Sequence, residues 1–328
     1  MDPLSDVLKT IKLSGVVFLR AQLRDQYGVE MPPPTLSHPS LRPPTPDHRL
    51  VMFHIVREGQ GYVEVEGFEP RQIRDGDLII ILDDLVHSVV DVPGRATVPS
   101  ASIVAEFTKT AAPPEVNLGR GDVSMRLVCG MLQFVERGIS PLFSALPPYL
   151  LIPQDEGPST VWLKTSIAHL ITEAESGRPG SETLLSRLTE LIFVETIRTY
   201  IDRLPESERG WLAALKDPLV GAAVRHMHER PQHAWTVAEL ARRVGASRSA
   251  FSARFTELLE VSPITYLYRW RIRQATNLLD DTQLSIPEIA AQVGYESESA
   301  FSRAFKREMG SPPASWRRRF EQEAAEPV

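Results

Sequence analysis

A single cysteine, Cys129, stands in a chain of 328 residues, so no intrachain disulfide can form and a reducing compartment fits. No apolar run reaches the roughly eighteen residues that a membrane span needs. Met1 to Lys12 carries Asp2, Asp6, Lys9 and Lys12, which is unlike a secretory signal. These absences set aside disulfide-stapled and membrane-spanning classes, and a cytoplasmic protein is expected. The length exceeds one ordinary domain, so two cores are expected. The formal charge of −6 hides an asymmetry: residues 211 to 320 carry 16 Lys and Arg against 11 Asp and Glu, whereas residues 1 to 210 carry 20 against 28. A basic part beside an acidic one suits a chain of which only the C-terminal part meets phosphate.

What the chain does contain is a repeat. From Ala238 it reads AELARRVGASRSAFSARFTELLEVSPITYLYRWR, and from Pro287 it reads PEIAAQVGYESESAFSRAFKREMGSPPASWRRRF. Ser247, Phe251, Phe255, Pro263 and Tyr266 answer to Ser297, Phe301, Phe305, Pro313 and Trp316 at an offset of fifty, the mark of a repeated supersecondary unit. Each copy predicts helix, turn, helix. Val237, Leu240, Ala241 and Val244 recur at helical spacing, and Gly245, like Gly294, supplies the stop. Ser247 is the expected cap of a second helix whose apolar stripe is Phe251, Phe255 and Leu258. Arg248, Ser249, Ser252 and Ala253 then face outward near that helix's start. The second copy presents Glu298, Ser299, Ser302 and Arg303, with Lys306 and Arg307 one turn on.

One such hairpin is a weak signal, because packed helical pairs with solvated outer faces are common; two copies at a fixed offset are not. The region resembles the AraC/XylS class of DNA-binding domain, seven helices holding two helix-turn-helix units joined by a long helix. The resemblance implies that the outward residues at the two helix starts read bases in the major groove, with Arg303 the foremost reader. Lys306, Arg307 and the cluster Arg317, Arg318 and Arg319 are expected on phosphates.

The N-terminal half begins with a short amphipathic helix over residues 2 to 12, bearing Leu4, Val7, Leu8 and Ile11 on one face. A strand-like run from Gly15 to Leu23 follows, then a Pro-rich loop from Met31 to Asp47. Short β-branched runs come next at 50–57, 61–66, 77–82, 88–92 and 103–107, with a further strand at 127–134 and closure near Pro153. Such strands with tight turns argue a sandwich or barrel. VREGQGYVEVEG from Val56 and RDGDLIIILDDLVHSVV from Arg74 resemble a cupin, the small barrel used as an effector domain by many regulators of this class.

Cupin enzymes hold a metal with two His and a Glu from a first motif and a His from a second. Aligning Gly59 with the closing glycine of the first motif puts its ligand positions at Pro46, His48 and Met52. A rival register uses His54 and Glu58, but leaves Val65 at the glycine and Met52 at the other His position. The second motif keeps Gly76 and His87, while Leu82 and Asp84 replace the family's Pro and Gly. No metal and no cofactor is therefore expected. The expected effector pocket is lined by some of His48, Met52, His54 and His87, which can orient an organic ligand by hydrogen bonds. Cys129 reads as a small buried apolar residue, with no neighbour to lower its pKa apparent locally. Arg20 and Arg24, four apart, hint weakly at an anion.

Helical periodicity runs from Thr160 to Asp202, broken by SGRPG at Ser176 to Gly180. Leu184, Leu188, Leu191, Ile192 and Ile197 make an apolar face wider than one partner needs, which serves either dimerisation, as the family resemblance implies, or cover for the barrel. The expected class is α+β. A cupin-like effector domain at 1–158 leads to a helical hairpin at 159–204, a linker at 205–210, an all-α DNA-binding domain at 211–320 and an acidic tail at 321–328. The implied function is a transcription regulator whose partners are double-stranded DNA, an unknown small-molecule effector, a second copy of the chain and RNA polymerase, with no membrane. The alternative is a metal-dependent cupin enzyme fused to a DNA-binding domain.

Overall fold

The structure, a computed structural model, describes residues 2–9, 12–33, 48–100, 115–135, 141–153, 158–176 and 178–318. It divides into two compact units: Lys12–Val135 with Leu146–Arg203, and Met1–Ile11 with Glu136–Ala145 and Leu204–Val328. Among the described residues no helix is long and apolar enough to cross a membrane. The calls for a strand at 103–107 and for most of the Pro-rich loop lie outside the described residues, as does Pro46.

The first unit is a mixed sheet folded into a half-barrel. Its strands are β1 (Lys12–Arg24), β2 (Gly28–Met31), β3 (His48–Val65), β4 (Arg71–Arg74), β5 (Leu78–Ile81), β6 (His87–Val90), β7 (Val98–Pro99), β8 (Glu115–Leu118), β9 (Val123–Val135) and β10 (Tyr149–Ile152). They run in the order β7-β2-β6-β3-β9-β1-β8, with β4 and β5 also on β3 and β10 on β5. The expected break between 50–57 and 61–66 is absent, because β3 passes through it as one strand. Its first part pairs with β9 and β5, its last part with β4 and β6. Gly59 makes this possible. Its φ is +96° and a Cβ there would meet the Ser124 carbonyl oxygen at 2.0 Å, so only glycine lets the strand turn the corner beside β9.

Leu50 through Val56 are buried without alternation, which requires cover on both faces. Met52 and Val56 join Ala21, Leu23, Leu127, Cys129 and Met131 in the core inside the half-barrel. Cover for the outer face comes from two helices, α3 (Pro158–Ser176) and α4 (Ser181–Arg203), the latter packed on β1. There the rings of Phe134 and Phe193 lie 4.8 Å apart. Burial of each such side chain is worth about 1.5 to 3 kcal/mol. The hairpin's inner face thus covers the sheet. Val161, Trp162, Leu184 and Leu191 remain exposed, at 63, 44, 38 and 52%.

In the second unit α1 (Pro3–Lys9) packs on the later helix Pro218–Glu229, so the opening residues group with the helical C-terminal part; α2 (Pro141–Ser144) does the same. Then come α5 (Trp211–Lys216), α6 (Pro218–Glu229), α7 (Val237–Arg243), α8 (Arg248–Leu259), the long α9 (Pro263–Asp281), α10 (Ile286–Gln292) and α11 (Glu298–Met309), with residues 313–318 helical again. The caps repeat with the sequence. Ser247 accepts from the Ala250 N–H at 3.2 Å, Ser297 from the Ala300 N–H at 3.3 Å, and Ser285 closes a capping box with Glu288. The aromatic packing repeats too. Phe251 and Phe255 are 5.6 Å apart with Tyr266 5.8 Å beyond, and Phe301, Phe305 and Trp316 repeat those spacings.

The two stop glycines are not equivalent in their surroundings. Gly245 has φ +72° and open space around it, whereas Gly294 has φ +85° and a Cβ there would sit 2.6 Å from the Gln232 Cα. Gly245→Ala is therefore expected to cost about 1 kcal/mol, the left-handed penalty alone, and Gly294→Ala distinctly more. Chemical denaturation followed by helical circular dichroism checks this; equal losses would show that the backbone at Gln232 gives way.

Candidate functional sites

The outer ends of the two repeats form the first site. Because Phe251 and Phe255 in α8, and Phe301 and Phe305 in α11, are wholly buried, each helix can turn only its opposite face to solvent. Arg248, Ser249 and Ala253 are exposed and Ser252 half-buried; at the offset of fifty, Glu298, Ser299 and Arg303 are exposed and Ser302 half-buried. The structure thus brings the expected sets to equivalent positions in the first two turns of α8 and α11. Lys306 and Arg307 are exposed one turn on.

The tail cluster behaves differently from expectation. Arg317 donates from Nε to the Leu279 carbonyl at 3.3 Å and from its guanidinium NH2 to the Leu284 carbonyl at 2.6 Å. It ties the end of α9 to the following turn and is engaged within the protein rather than offered to phosphate. Arg318 is exposed, donating to Ser315 at 3.3 Å, and Arg319 lies outside the described residues. Arg20 pairs with Glu115 at 3.8 Å, and Arg24 donates to the Gly121 carbonyl at 2.9 Å; both serve the β1–β8 edge.

The second site is a cavity of about 80 Å3 inside the half-barrel, with Leu23, Met31, Met52, Leu127, Cys129 and Met131 among the side chains around it. Met52 and His54, two apart on β3, both reach it, as period-two alternation predicts. His87 stands behind His54, with their Nε2 atoms 2.8 Å apart. His48 opens β3 opposite Val135; its side chain is outside the described set. Cys129 is buried, as expected, and it has a polar neighbour that lies far off in sequence. His54 is its register partner across β3 and β9, and its Nδ1 lies 2.9 Å from the Cys129 sulfur.

One assignment of protons satisfies the whole chain of contacts. His87 Nδ1–H donates to the Leu85 carbonyl at 3.4 Å, leaving His87 Nε2 to accept from His54 Nε2–H and His54 Nδ1 to accept from the Cys129 thiol. Burial holds every member neutral. It pushes the His54 imidazole well below its ordinary value, helped by His87, lowers His87 to about 4, and pushes the Cys129 thiol up to about 12. These donors do not fit the metal that a cupin implies: His54 lies between the other two, so the three atoms do not converge on one point. Among the described residues no group of three His, Cys, Asp or Glu could hold an ion.

Comparison with known proteins covers both parts of the chain. A cupin family model matches residues 2–202 and a helix-turn-helix domain model residues 240–319. Proteins named as AraC-like transcription regulators are similar along nearly the whole chain. One from Streptomyces lividans is 32% identical, covering 97% of this chain and 98% of its own; one from Streptomyces antibioticus is 30% identical, covering 97% and 99%. A solved structure, the DNA-binding domain of AdpA in complex with a target DNA, aligns at 31% identity over 34% of this chain and 100% of that one, with a TM-score of 0.32. The chain belongs to the AraC-like family of DNA-binding transcription regulators, with a cupin-family N-terminal domain.

The buried imidazoles set a pH dependence. A histidine whose folded pKa is depressed binds fewer protons folded than unfolded, so stability is fully present above the unfolded value near 6.5 and is lost as pH falls toward the folded one. For His87 that window runs from about 6.5 to about 4, and the loss reaches about 2 kcal/mol by pH 5. Urea titrations of the β signal at pH 7.5 and pH 5 check it; an unchanged midpoint would mean that the pair is not buried neutral.

Proposed function

We propose that the protein binds specific promoter DNA through α8 and α11 and that the half-barrel cavity receives a small-molecule effector that alters this binding. The observation that carries the DNA reading is the pair of equivalent, serine-capped helices whose phenylalanines are buried and whose opposite faces are open. Helix starts of this kind enter the major groove, and two in one chain reach successive groove segments about one helical turn apart. On α11 the base readers are Arg303, which can grip guanine O6 and N7, and Glu298, which accepts from cytosine; Ser299 and Ser302 complete the surface. On α8 the short side chains of Ser249, Ser252 and Ala253 allow close approach, with Arg248 at the rim. Lys306 and Arg307 hold phosphates, and Arg318 is placed to join them.

The same reading treats the half-barrel as a sensor without catalysis. Supporting it are the apolar lining of the cavity, the engagement of both His54 nitrogens, and relatives named as transcription regulators. A second copy of the chain is the proposed partner of the exposed stripe formed by Leu184 and Leu191 on α4, with Val161 and Trp162 on α3. Such a dimer links two DNA-binding units, and linkage raises avidity without a new DNA contact.

Arg303→Ala is expected to weaken specific binding by about 1 to 3 kcal/mol and to relax preference at one base pair, whereas Lys306→Ala lowers affinity evenly across sequences. Binding to matched and scrambled sites decides it; unchanged discrimination by the Arg303→Ala protein sinks the assignment. Leu191→Lys in the full chain is expected to move the sedimentation profile from dimer toward monomer. A wild-type chain that is monomeric at high concentration removes the dimer from the proposal.

A further inference from the structure

Ser100 lines the cavity, and among the described residues its side-chain oxygen is without a hydrogen-bond partner. Ser100 follows β7 and is held in place by its backbone N–H, which donates to the Glu30 carbonyl at 2.8 Å. The residue is only 7% exposed, and its Oγ is buried with no hydrogen-bond partner among the described residues. A buried hydroxyl left unpaired costs about 1 to 3 kcal/mol, and buried polar side chains seldom go unpaired. The other polar groups at the cavity do not share this state. The Cys129 thiol and both His54 nitrogens are occupied by one another and by His87, so they have no bond to offer without breaking the chain of contacts.

Charge narrows the choice of ligand. No Lys, Arg, Asp or Glu is among the residues described around the cavity, and burial keeps His54 uncharged. A carboxylate or ammonium moved there would lose its hydration with nothing to replace it, a penalty of several kcal/mol. Hydrocarbon, by contrast, meets leucine, valine and three thioethers, those of Met31, Met52 and Met131. These flexible side chains can reshape a space of about 80 Å3 around a slightly larger guest.

Resting on the reading of the cavity as the effector site, we propose that its ligand is a small, uncharged, mainly hydrocarbon molecule bearing one hydrogen-bonding oxygen, which bonds to the Ser100 hydroxyl. An alcohol or a carbonyl oxygen serves equally, since a serine hydroxyl both donates and accepts. The hydrocarbon part supplies affinity, and Ser100 orients it.

The test uses the full chain and three seven-carbon probes of matched shape: toluene, benzyl alcohol and benzoate at pH 7.5, titrated calorimetrically. Toluene and benzyl alcohol are expected to bind and benzoate to bind at least roughly thirtyfold more weakly than benzyl alcohol. Ser100→Ala is expected to weaken benzyl alcohol by about three- to tenfold and to leave toluene unchanged. The unliganded Ser100→Ala protein should be no less stable than wild type, because no bond within the protein is lost. Benzoate binding as tightly as benzyl alcohol, an equal effect of Ser100→Ala on toluene and benzyl alcohol, or a clear loss of unliganded stability each overturns the proposal. Binding by none of the three overturns both it and the cavity reading. Binding in the expected pattern without any change in DNA affinity upholds the ligand class and removes only the effector role.

Discussion

Complete burial of two phenylalanines per repeat is the constraint on which the outward surface of α8 and α11 depends. With Phe251 and Phe255 sealed against Tyr266, and Phe301 and Phe305 against Trp316, the rotation of α8 and α11 about their own axes is settled by packing. Removal of one such ring costs about 3 to 5 kcal/mol, far more than any single surface contact contributes. The polar residues on the outer faces are therefore free to vary for recognition, since none of them holds the helix in place. The serine caps add the second coordinate by fixing where each helix begins, so Arg248 and Glu298, then Ala253 and Arg303, occupy matching positions in the two heads.

A comparable division of labour runs along β3. Its odd-numbered side chains Val51, Phe53 and Ile55 are buried, as are Met52, His54 and Val56, and the latter set faces the half-barrel interior. One face points away from the cavity; the other surrounds it. The corner at Gly59 then carries the same strand into the second face of the sheet, so β3 touches β4, β5, β6 and β9. A change on either face of β3 is felt by the cavity wall, because a packed interior transmits displacement.

The repeat, its caps, its stops and its outward residues were legible because they are local signals: a glycine at φ > 0, a serine before a helix, aromatic residues four apart. The hairpin at residues 158–203 was legible for the same reason. Long-range features were not. His54 and Cys129 are 75 positions apart and meet only through the β3–β9 register, and a lone Ser100 has no pattern that marks its hydroxyl as unpaired. Gly59 and Gly61 read as a strand break, since sequence does not distinguish a turn from a corner that keeps its pairing. Arg317 read as a phosphate ligand because a run of arginines says nothing about which one is captured by the carbonyls of Leu279 and Leu284.

The two heads, though matched in backbone, differ in chemistry, and the difference bears on how they share the work of binding. α11 bears Arg303, Lys306 and Arg307, whereas the equivalents in α8 are Ala253, Thr256 and Glu257. Phosphate neutralisation releases counterions and makes affinity fall with salt, so the proposed phosphate contacts of Lys306 and Arg307 assign the salt-dependent share of binding mainly to the second head. The same proposal leaves the first head, with Ser249, Ser252 and Ala253, to close fit and short hydrogen bonds, which are less sensitive to salt and more sensitive to the shape of the groove. A domain built this way needs both terms on one stretch of DNA. On that proposal the preference follows the spacing between the two groove segments as much as the bases in either, and the nineteen residues of α9 between the two repeats are the element that would set it.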